Sequence, residues 1–175
     1  MLGYKLRRPV ISVYEILRTL SPLPAKKYGS SFVSASEPDR IKIHYYFNKN
    51  NQRFYARVVF GKKAQGPPEH AHGGAVAAVL DEAMGGVSWL NGFTVMTAKL
   101  EINYINALSL DTEYYIETSI KDVMQKKLTI QGKIVSKEGV IFAESKGLFI
   151  EKSLEHFKSM GKIPDAFLGL SSIFF

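Results

Sequence analysis

The chain has 175 residues, of which 46% are hydrophobic, and this length predicts one compact domain with a full core. It contains no cysteine, which excludes disulfides, thiolate metal sites and cysteine nucleophiles. The net charge is +7, but no stripe of lysine and arginine interleaved with aromatic residues is present, so we expect no nucleic-acid partner. No segment approaches the roughly 20 apolar residues of a membrane span, and we expect no signal peptide. These features predict a soluble, cytoplasmic protein.

Residues 1–39 form the first predicted segment, a basic N-terminal arm. Residues 1–30 hold six lysines or arginines and one glutamate, so most of the positive charge lies here. Apolar residues then recur at helical spacing, at Val10, Val13, Tyr14 and Leu17. This spacing predicts a short amphipathic helix behind Pro9 that caps the domain. Contact of this basic arm with a membrane surface is an alternative that we disfavour.

Residues 40–150 are predicted to form the main domain, and residues 151–175 a C-terminal helix with an apolar tail that packs on it. Alternation of apolar and polar residues predicts six strands, over 41–47, 53–60, 95–105, 113–123, 127–137 and 141–150. A loop over 61–69 leads into a long helix from Gly73 to Leu90, which closes near Asn91-Gly92. One long helix among about six strands joined by short turns implies an antiparallel sheet wrapped around that helix, an α+β fold.

The long helix carries the motif that bears most on function, a His72-Gly-Gly triplet followed by Asp81. The backbone amides of such a helix start can hold a developing negative charge. An apolar stripe is predicted to face the sheet, formed by Val76, Val79, Leu80, Ala83 and Val87. Asp81 lies off this stripe among small residues, namely Gly74, Ala77, Ala78, Gly85 and Ser88. A substrate or a second chain can therefore approach the carboxylate closely; alternatively, the glycines only let the helix nest in a curved sheet.

Three other polar residues lie near this motif. Glu82 is turned about 100° from Asp81 around the helix, so we expect a surface charge or an ion-pair partner there. His72 is suited to orient the loop through a hydrogen bond from its side chain to the backbone. His70, His72 and Asp81 do not have the spacing of a His-Glu-x-x-His zinc motif, and we expect no metal.

Several motifs resemble those of the hotdog-fold thioesterases of the PaaI-like group, over roughly residues 40–150. They are Gly66-Pro-Pro, His72-Gly-Gly74, Asp81-Glu-Ala and the strands that follow. The resemblance implies that the sheet wraps the central helix and that two chains join their sheets into a homodimer with two interfacial active sites. A homotetramer is the alternative assembly.

The resemblance also implies roles for individual residues. Asp81 would act as general base on water, or as nucleophile through a mixed anhydride, and the backbone amide of Gly73 would polarise the thioester carbonyl. His72 would shape the loop, and Thr97, expected from the facing subunit, would help to hold the water. The chain departs from the family at Gly66, where many relatives carry Asn or Gln, and at His70, where an apolar or small residue is usual.

The implied reaction is hydrolysis of an acyl-CoA or acyl-carrier thioester to the free acid and the thiol, with no cofactor. The candidate substrate-binding residues are Gln65, which stands beside Gly66, and His70, Gly74, Glu82 and Met84. Lysines that suit the anionic end of coenzyme A are Lys62, Lys63, Lys99, Lys126 and Lys127. Two alternatives stay open: a non-catalytic module that binds acyl thioesters, and a hotdog dehydratase or hydratase.

Overall fold

A computed structural model of the protein describes residues 12–23, 32–33 and 39–161. The helices are α1 (Val13–Leu17), α2 (Gly73–Leu90) and α3 (Leu154–Met160). The strands are β1 (Ile41–Asn48), β2 (Arg53–Phe60), β3 (Val95–Tyr104), β4 (Glu113–Met124), β5 (Lys127–Val135) and β6 (Ile141–Glu151). The long helix has the predicted bounds, and all six predicted strands are present.

The strand bounds differ from the predicted ones by at most two residues, and the other differences lie outside the sheet and the long helix. The loop over 61–69 contains a short 3-10 helix, Lys62–Ala64, which the sequence pattern does not predict. The first helix begins at Val13 because the Ser12 side chain caps it by accepting a hydrogen bond from the backbone N–H of Glu15. Val10 and the apolar C-terminal tail lie outside the described residues.

The six strands form one antiparallel sheet in the order β1-β2-β4-β5-β6-β3. The two edges of this sheet are therefore β1 and β3. At the β1 edge, the backbone N–H of Leu23 donates to the carbonyl of Tyr45 at 2.7 Å. In the part of the chain that the structure describes, β3 pairs only with β6, so its other edge is open.

The main core lies between α2 and the inner face of the sheet. The predicted apolar stripe of α2 is buried as expected, from Val76 to Val87. The helix sits so close to the sheet that Gly147 on β6 has no room for a side chain. A Cβ there would lie 2.8 Å from Cε of Met84 and 2.5 Å from a ring carbon of Phe149. Close packing of helix and sheet therefore explains this strand glycine.

The outer face of the sheet has two features. A second apolar cluster forms where α1 packs on the strands, through Val13, Leu17, Tyr46, Tyr55, Tyr115 and Val135. Five residues are too few for a stable isolated helix, so this contact holds α1 in place. Beside the cluster, Glu117 is bonded to Arg53 and, at 2.8 Å, to Nζ of Lys133. Burial raises the pKa of Glu117, but the hydrogen bonds from the two cations outweigh it and leave the pKa below its usual value.

Candidate active site

Asp81 and Thr97 form a hydrogen-bonded pair on the side of α2 that faces β3. The hydroxyl of Thr97 donates to Oδ1 of Asp81 at 2.8 Å, and Asp81 itself is half-buried. This contact lies within one chain, and a role of Thr97 from the facing subunit stays a prediction. Thr97 stands on the edge strand β3, which lies beside the helix and brings the hydroxyl within reach. The contact orients the carboxylate, and its Oδ2 has no hydrogen-bond partner among the described residues.

The start of α2 is fixed by His72, whose side chain makes the expected hydrogen bond to the backbone and caps the helix. Its Nδ1 accepts a hydrogen bond from the backbone N–H of Gly74 at 2.9 Å, so the proton of the neutral ring lies on Nε2. The N–H groups of Ala75 and Val76 both donate to the carbonyl of His72. Among the described residues, none accepts a hydrogen bond from the N–H of Gly73. The predicted carbonyl-polarising amide is therefore the one free donor of the first helical turn, whereas the N–H of Gly74 is occupied.

Tyr104 contacts the same helix start and was not found from the sequence. Its hydroxyl donates to the carbonyl of Gly73 at 3.0 Å. Its ring lies 3.6 Å from the position that a Cβ of Gly73 would take. Tyr104 is the last residue of β3, whereas Thr97 lies near the first.

A β-bulge explains why strand alternation does not place Thr97 and Tyr104 on the same face of β3. Thr97 and Tyr104 are seven positions apart, and strict alternation along a strand places residues at an odd separation on opposite faces. The register of β3 against β6 shifts between Thr97 and Lys99, which reverses the alternation. Both side chains therefore face α2. A bulge of this kind leaves no clear signal in a single sequence.

The loop before α2 explains the departure from the family at Gly66. A Cβ on Gly66 would lie 2.8 Å from Cα of His72, so the loop fits against His72 only with a glycine there. The neighbouring Gln65 is exposed and forms an isolated bridge with Ala71. His70 is half-buried, and its Nδ1 donates to the carbonyl of Pro68 at 2.8 Å. Neither the Gln65 nor the His70 side chain contacts Asp81.

Two further candidate residues, Glu82 and Met84, contact side chains of the sheet. The carboxylate of Glu82 accepts a hydrogen bond from the hydroxyl of Tyr45 on β1. Asp81 and Glu82 therefore contact opposite edges of the sheet, as their angular separation on the helix requires. Met84 is fully buried, and its sulfur accepts a hydrogen bond from Ser145 at 3.1 Å. A role of Glu82 or Met84 in substrate binding stays a prediction.

The small residues around Asp81 leave one face of α2 open. Ala77 is half-buried, and a Cβ on Gly85 would meet nothing within 4 Å. Ser88 is an exception to the predicted open face, because it is fully buried and its hydroxyl donates to the carbonyl of Met84 at 3.3 Å. Nesting of the helix in the sheet therefore does not explain Gly85. Close approach by a ligand or a second chain stays a prediction.

Two kinds of feature are absent from the part of the chain that the structure describes. Within 12–23, 32–33 and 39–161, no group of three or more histidine, aspartate or glutamate side chains is placed to hold a metal ion. Over the same residues, no helix combines the length and apolar character needed to cross a bilayer.

An antiparallel six-stranded sheet wrapped around one long helix defines a hotdog fold. Solved structures share it. A thioesterase superfamily protein aligns with a TM-score of 0.60 and 27% identity, covering 62% of this chain and 53% of its own. The PaaI protein of E. coli aligns with a TM-score of 0.58 and 12% identity, covering 65% of this chain and 80% of its own.

Residues 69–143, which include the motif helix and β3, match the family model described as the thioesterase superfamily. Over these residues the chain is therefore similar to the thioesterase superfamily.

Two relatives are named acyl-coenzyme A thioesterases. Human THEM5 is 29% identical over 96 residues, which is 54% of this chain and 39% of the relative. THEM4 of Bos taurus is 32% identical over 116 residues, which is 65% of this chain and 48% of the relative. The chain thus spans half the length of these relatives or less.

Proposed function

We propose that this chain is an acyl-CoA thioesterase, which hydrolyses the thioester to a free acid and CoA. The observation that carries the proposal is one face of α2 that holds both an oriented carboxylate and a free helix-start amide. Thr97 orients Asp81, and the N–H of Gly73 has no acceptor among the described residues. A carboxylate and a fixed amide donor are the two groups that opening a thioester needs.

The proposed chemistry has two possible forms at Asp81. As general base, Asp81 takes a proton from water while the water oxygen attacks the carbonyl carbon. As nucleophile, it attacks the carbon itself and forms a mixed anhydride, which water then hydrolyses. In both, the N–H of Gly73 stabilises the negative charge on the carbonyl oxygen of the tetrahedral intermediate. Collapse of this intermediate breaks the carbon–sulfur bond, and the sulfur takes up a proton to give the free thiol of CoA. In the nucleophilic form this collapse leaves the mixed anhydride, so it precedes hydrolysis by water.

One chain cannot bring these two groups to the same carbonyl. Gly73 and Asp81 are eight residues apart on one helix, which is about 12 Å at the usual rise of 1.5 Å per residue. An amide that holds a carbonyl oxygen must lie about 3 Å from it, and a base or its water must also lie within hydrogen-bond reach. The amide and the carboxylate that act on one substrate must therefore come from two copies of the helix.

The open edge of β3 suggests how two copies meet. Thr97 marks the end of β3 that lies beside Asp81, and Tyr104 marks the end that lies beside Gly73. Closed dimers are two-fold symmetric, so pairing of the two β3 edges would be antiparallel. A two-fold axis near the middle of β3 would place Asp81 of one chain near Gly73 of the other. We therefore propose a homodimer with two interfacial sites, which a homotetramer would also contain.

CoA is the proposed carrier because the relatives are named acyl-coenzyme A thioesterases. A solved structure of a thioesterase from Streptococcus pneumoniae with coenzyme A shares the fold at a TM-score of 0.58 and 18% identity. In the present chain, Lys62 and Lys63 are exposed in the 3-10 helix that precedes the motif helix. These cations suit the phosphate groups of CoA.

The test is free-thiol release from short, medium, long and aromatic acyl-CoA esters. Wild type is compared with Asp81→Asn, which removes the base and nucleophile but keeps the size of the side chain. Asp122→Asn is the matched control, because Asp122 is an exposed aspartate on β4. We expect hydrolysis by wild type and the control and its loss in Asp81→Asn with an unchanged circular dichroism spectrum.

Two results would contradict the proposal. Full activity of a folded Asp81→Asn variant would show that another residue acts as base or nucleophile. Saturable binding of acyl-CoA without release of thiol by the wild-type protein would favour the non-catalytic binding module. In that case acyl-carrier protein thioesters would be assayed next, because a carrier substrate gives the same binding chemistry with a different leaving thiol.

A further inference from the structure

We infer that Tyr104 is a positioning residue that holds the Gly73 amide in the orientation needed to bind the thioester oxygen. The inference rests on the proposed function, and it assigns a role to a side chain that lies outside the motif. Tyr104 is 55% exposed at the end of an edge strand, yet its hydroxyl is engaged with the helix start.

The peptide unit between Gly73 and Gly74 is held at both ends by side chains. Its N–H, on Gly74, donates to Nδ1 of His72 at 2.9 Å. Its carbonyl, on Gly73, accepts from the hydroxyl of Tyr104 at 3.0 Å. Two successive glycines have the greatest backbone freedom of any dipeptide. The two side chains therefore restrict the part of the helix start that would otherwise be the most mobile.

The two hydrogen bonds, from Gly74 to His72 and from Tyr104 to Gly73, also fix the direction of the N–H of Gly73. The N–H of Gly73 and the clamped peptide unit share the Cα of Gly73, so fixing the unit limits rotation about that atom. A donor acts on the transition state most effectively when it already points at the position of the developing oxyanion. His72 alone holds one end of the unit, and Tyr104 supplies the second point that removes the remaining rotation.

The ring of Tyr104 adds a steric role. It lies 3.6 Å from where a Cβ of Gly73 would be, which is ordinary van der Waals distance. The ring therefore covers one side of Gly73 and limits the directions from which a carbonyl can reach the amide. The hydroxyl orients the donor, and the ring restricts the approach to it.

The two roles are separated by two substitutions. Tyr104→Phe keeps the ring and removes the hydroxyl, so we expect kcat to fall about three- to tenfold with little change in KM, the range of one net hydrogen bond. Tyr104→Leu also removes the ring, so we expect a further loss that includes a higher KM. Tyr14→Phe is the matched control: Tyr14 packs against Tyr115 with the α1 cluster on the outer face of the sheet, and the same deletion there should leave both constants unchanged.

A second readout does not depend on catalysis. Amide hydrogen exchange at Gly73 and Gly74, measured by NMR, should be faster in Tyr104→Phe than in wild type or in Tyr14→Phe. Unchanged exchange together with unchanged kcat in a folded, equally assembled Tyr104→Phe protein would overturn the inference. The proposed function would survive that result as long as Asp81→Asn abolished hydrolysis. A wild-type protein without hydrolase activity would instead overturn the proposed function, and with it the positioning role of Tyr104.

Discussion

Two inactive variants of this chain should restore activity when they are mixed, because the amide and the carboxylate of each site are proposed to come from different copies. The first variant is Asp81→Asn. The second is Gly73→Pro, which removes the backbone N–H of Gly73. Proline is tolerated at the first position of a helix, and the preceding residue must be extended. His72 already has φ −65° and ψ 137°, so the substitution deletes the donor with little change to the backbone.

The activity expected of each variant and of their mixture follows from the proposed sharing of the site between two chains. Removal of one oxyanion donor typically lowers kcat by about 10²- to 10³-fold, so Gly73→Pro alone should be nearly inactive. After random exchange of equal amounts of the two variants, about half of two-fold dimers are mixed. In each mixed dimer one site carries both substitutions and the other carries neither. About one site in four is then intact, and about a quarter of the wild-type activity should return.

The assay is thiol release before and after the two variants are exchanged by mild denaturation and refolding. Each variant carries a different mass tag, so native mass spectrometry reports the fraction of mixed dimers. Each variant refolded alone is the control. In the opposite outcome, mixed dimers form without a rise in thiol release above the summed activities of the two variants refolded alone. That result would refute the argument that the site is shared between two chains.

Three further predictions concern single side chains. Thr97→Val should lower kcat about three- to tenfold in the thiol assay, because Asp81 loses the hydrogen bond that orients it. Gly66→Ala should reduce the free energy of unfolding in urea by about 1 to 3 kcal/mol, because its Cβ would overlap His72. The pKa of Glu117 is lowered in the folded protein, so its ion pairs stabilise the fold fully at pH values above the ordinary glutamate pKa. This stabilisation is lost as the pH falls through the lowered pKa of Glu117. Glu117→Gln should therefore lose less stability between pH 7 and pH 3 than wild type does, measured by urea unfolding at both values; an identical loss would contradict the assignment.

Local patterns predicted the elements of this fold well. Alternation located all six strands, and glycine after His72 together with Asn91-Gly92 located both ends of the central helix. These features are local because a strand face, a helix stripe and a cap are each set by neighbouring residues. The order of strands in the sheet and the packing of α1 on the outer face depend on contacts between distant residues, and they had no local signal.

The candidate site was only partly predictable for the same reason. The pairing of His72 with the helix start follows from adjacent residues, and it was expected. The contact of Thr97 with Asp81 in the same chain depends on a bulge in β3, and so does the contact of Tyr104 with Gly73. One extra residue in a strand exchanges the faces of everything beyond it, which alternation alone cannot show.

The hydrogen bond between Leu23 and Tyr45 has a consequence for how far association can proceed. A sheet with two unsatisfied edges is a template for unlimited growth, in which each added chain offers a fresh edge to the next. Here the segment at Leu23 occupies part of the β1 edge, whereas β3 has no such bond on its outer side among the described residues. Joining two chains through β3 would consume both open edges at once. The sheet would then be self-terminating, and the same strand that completes the site would protect the protein from fibrillar growth.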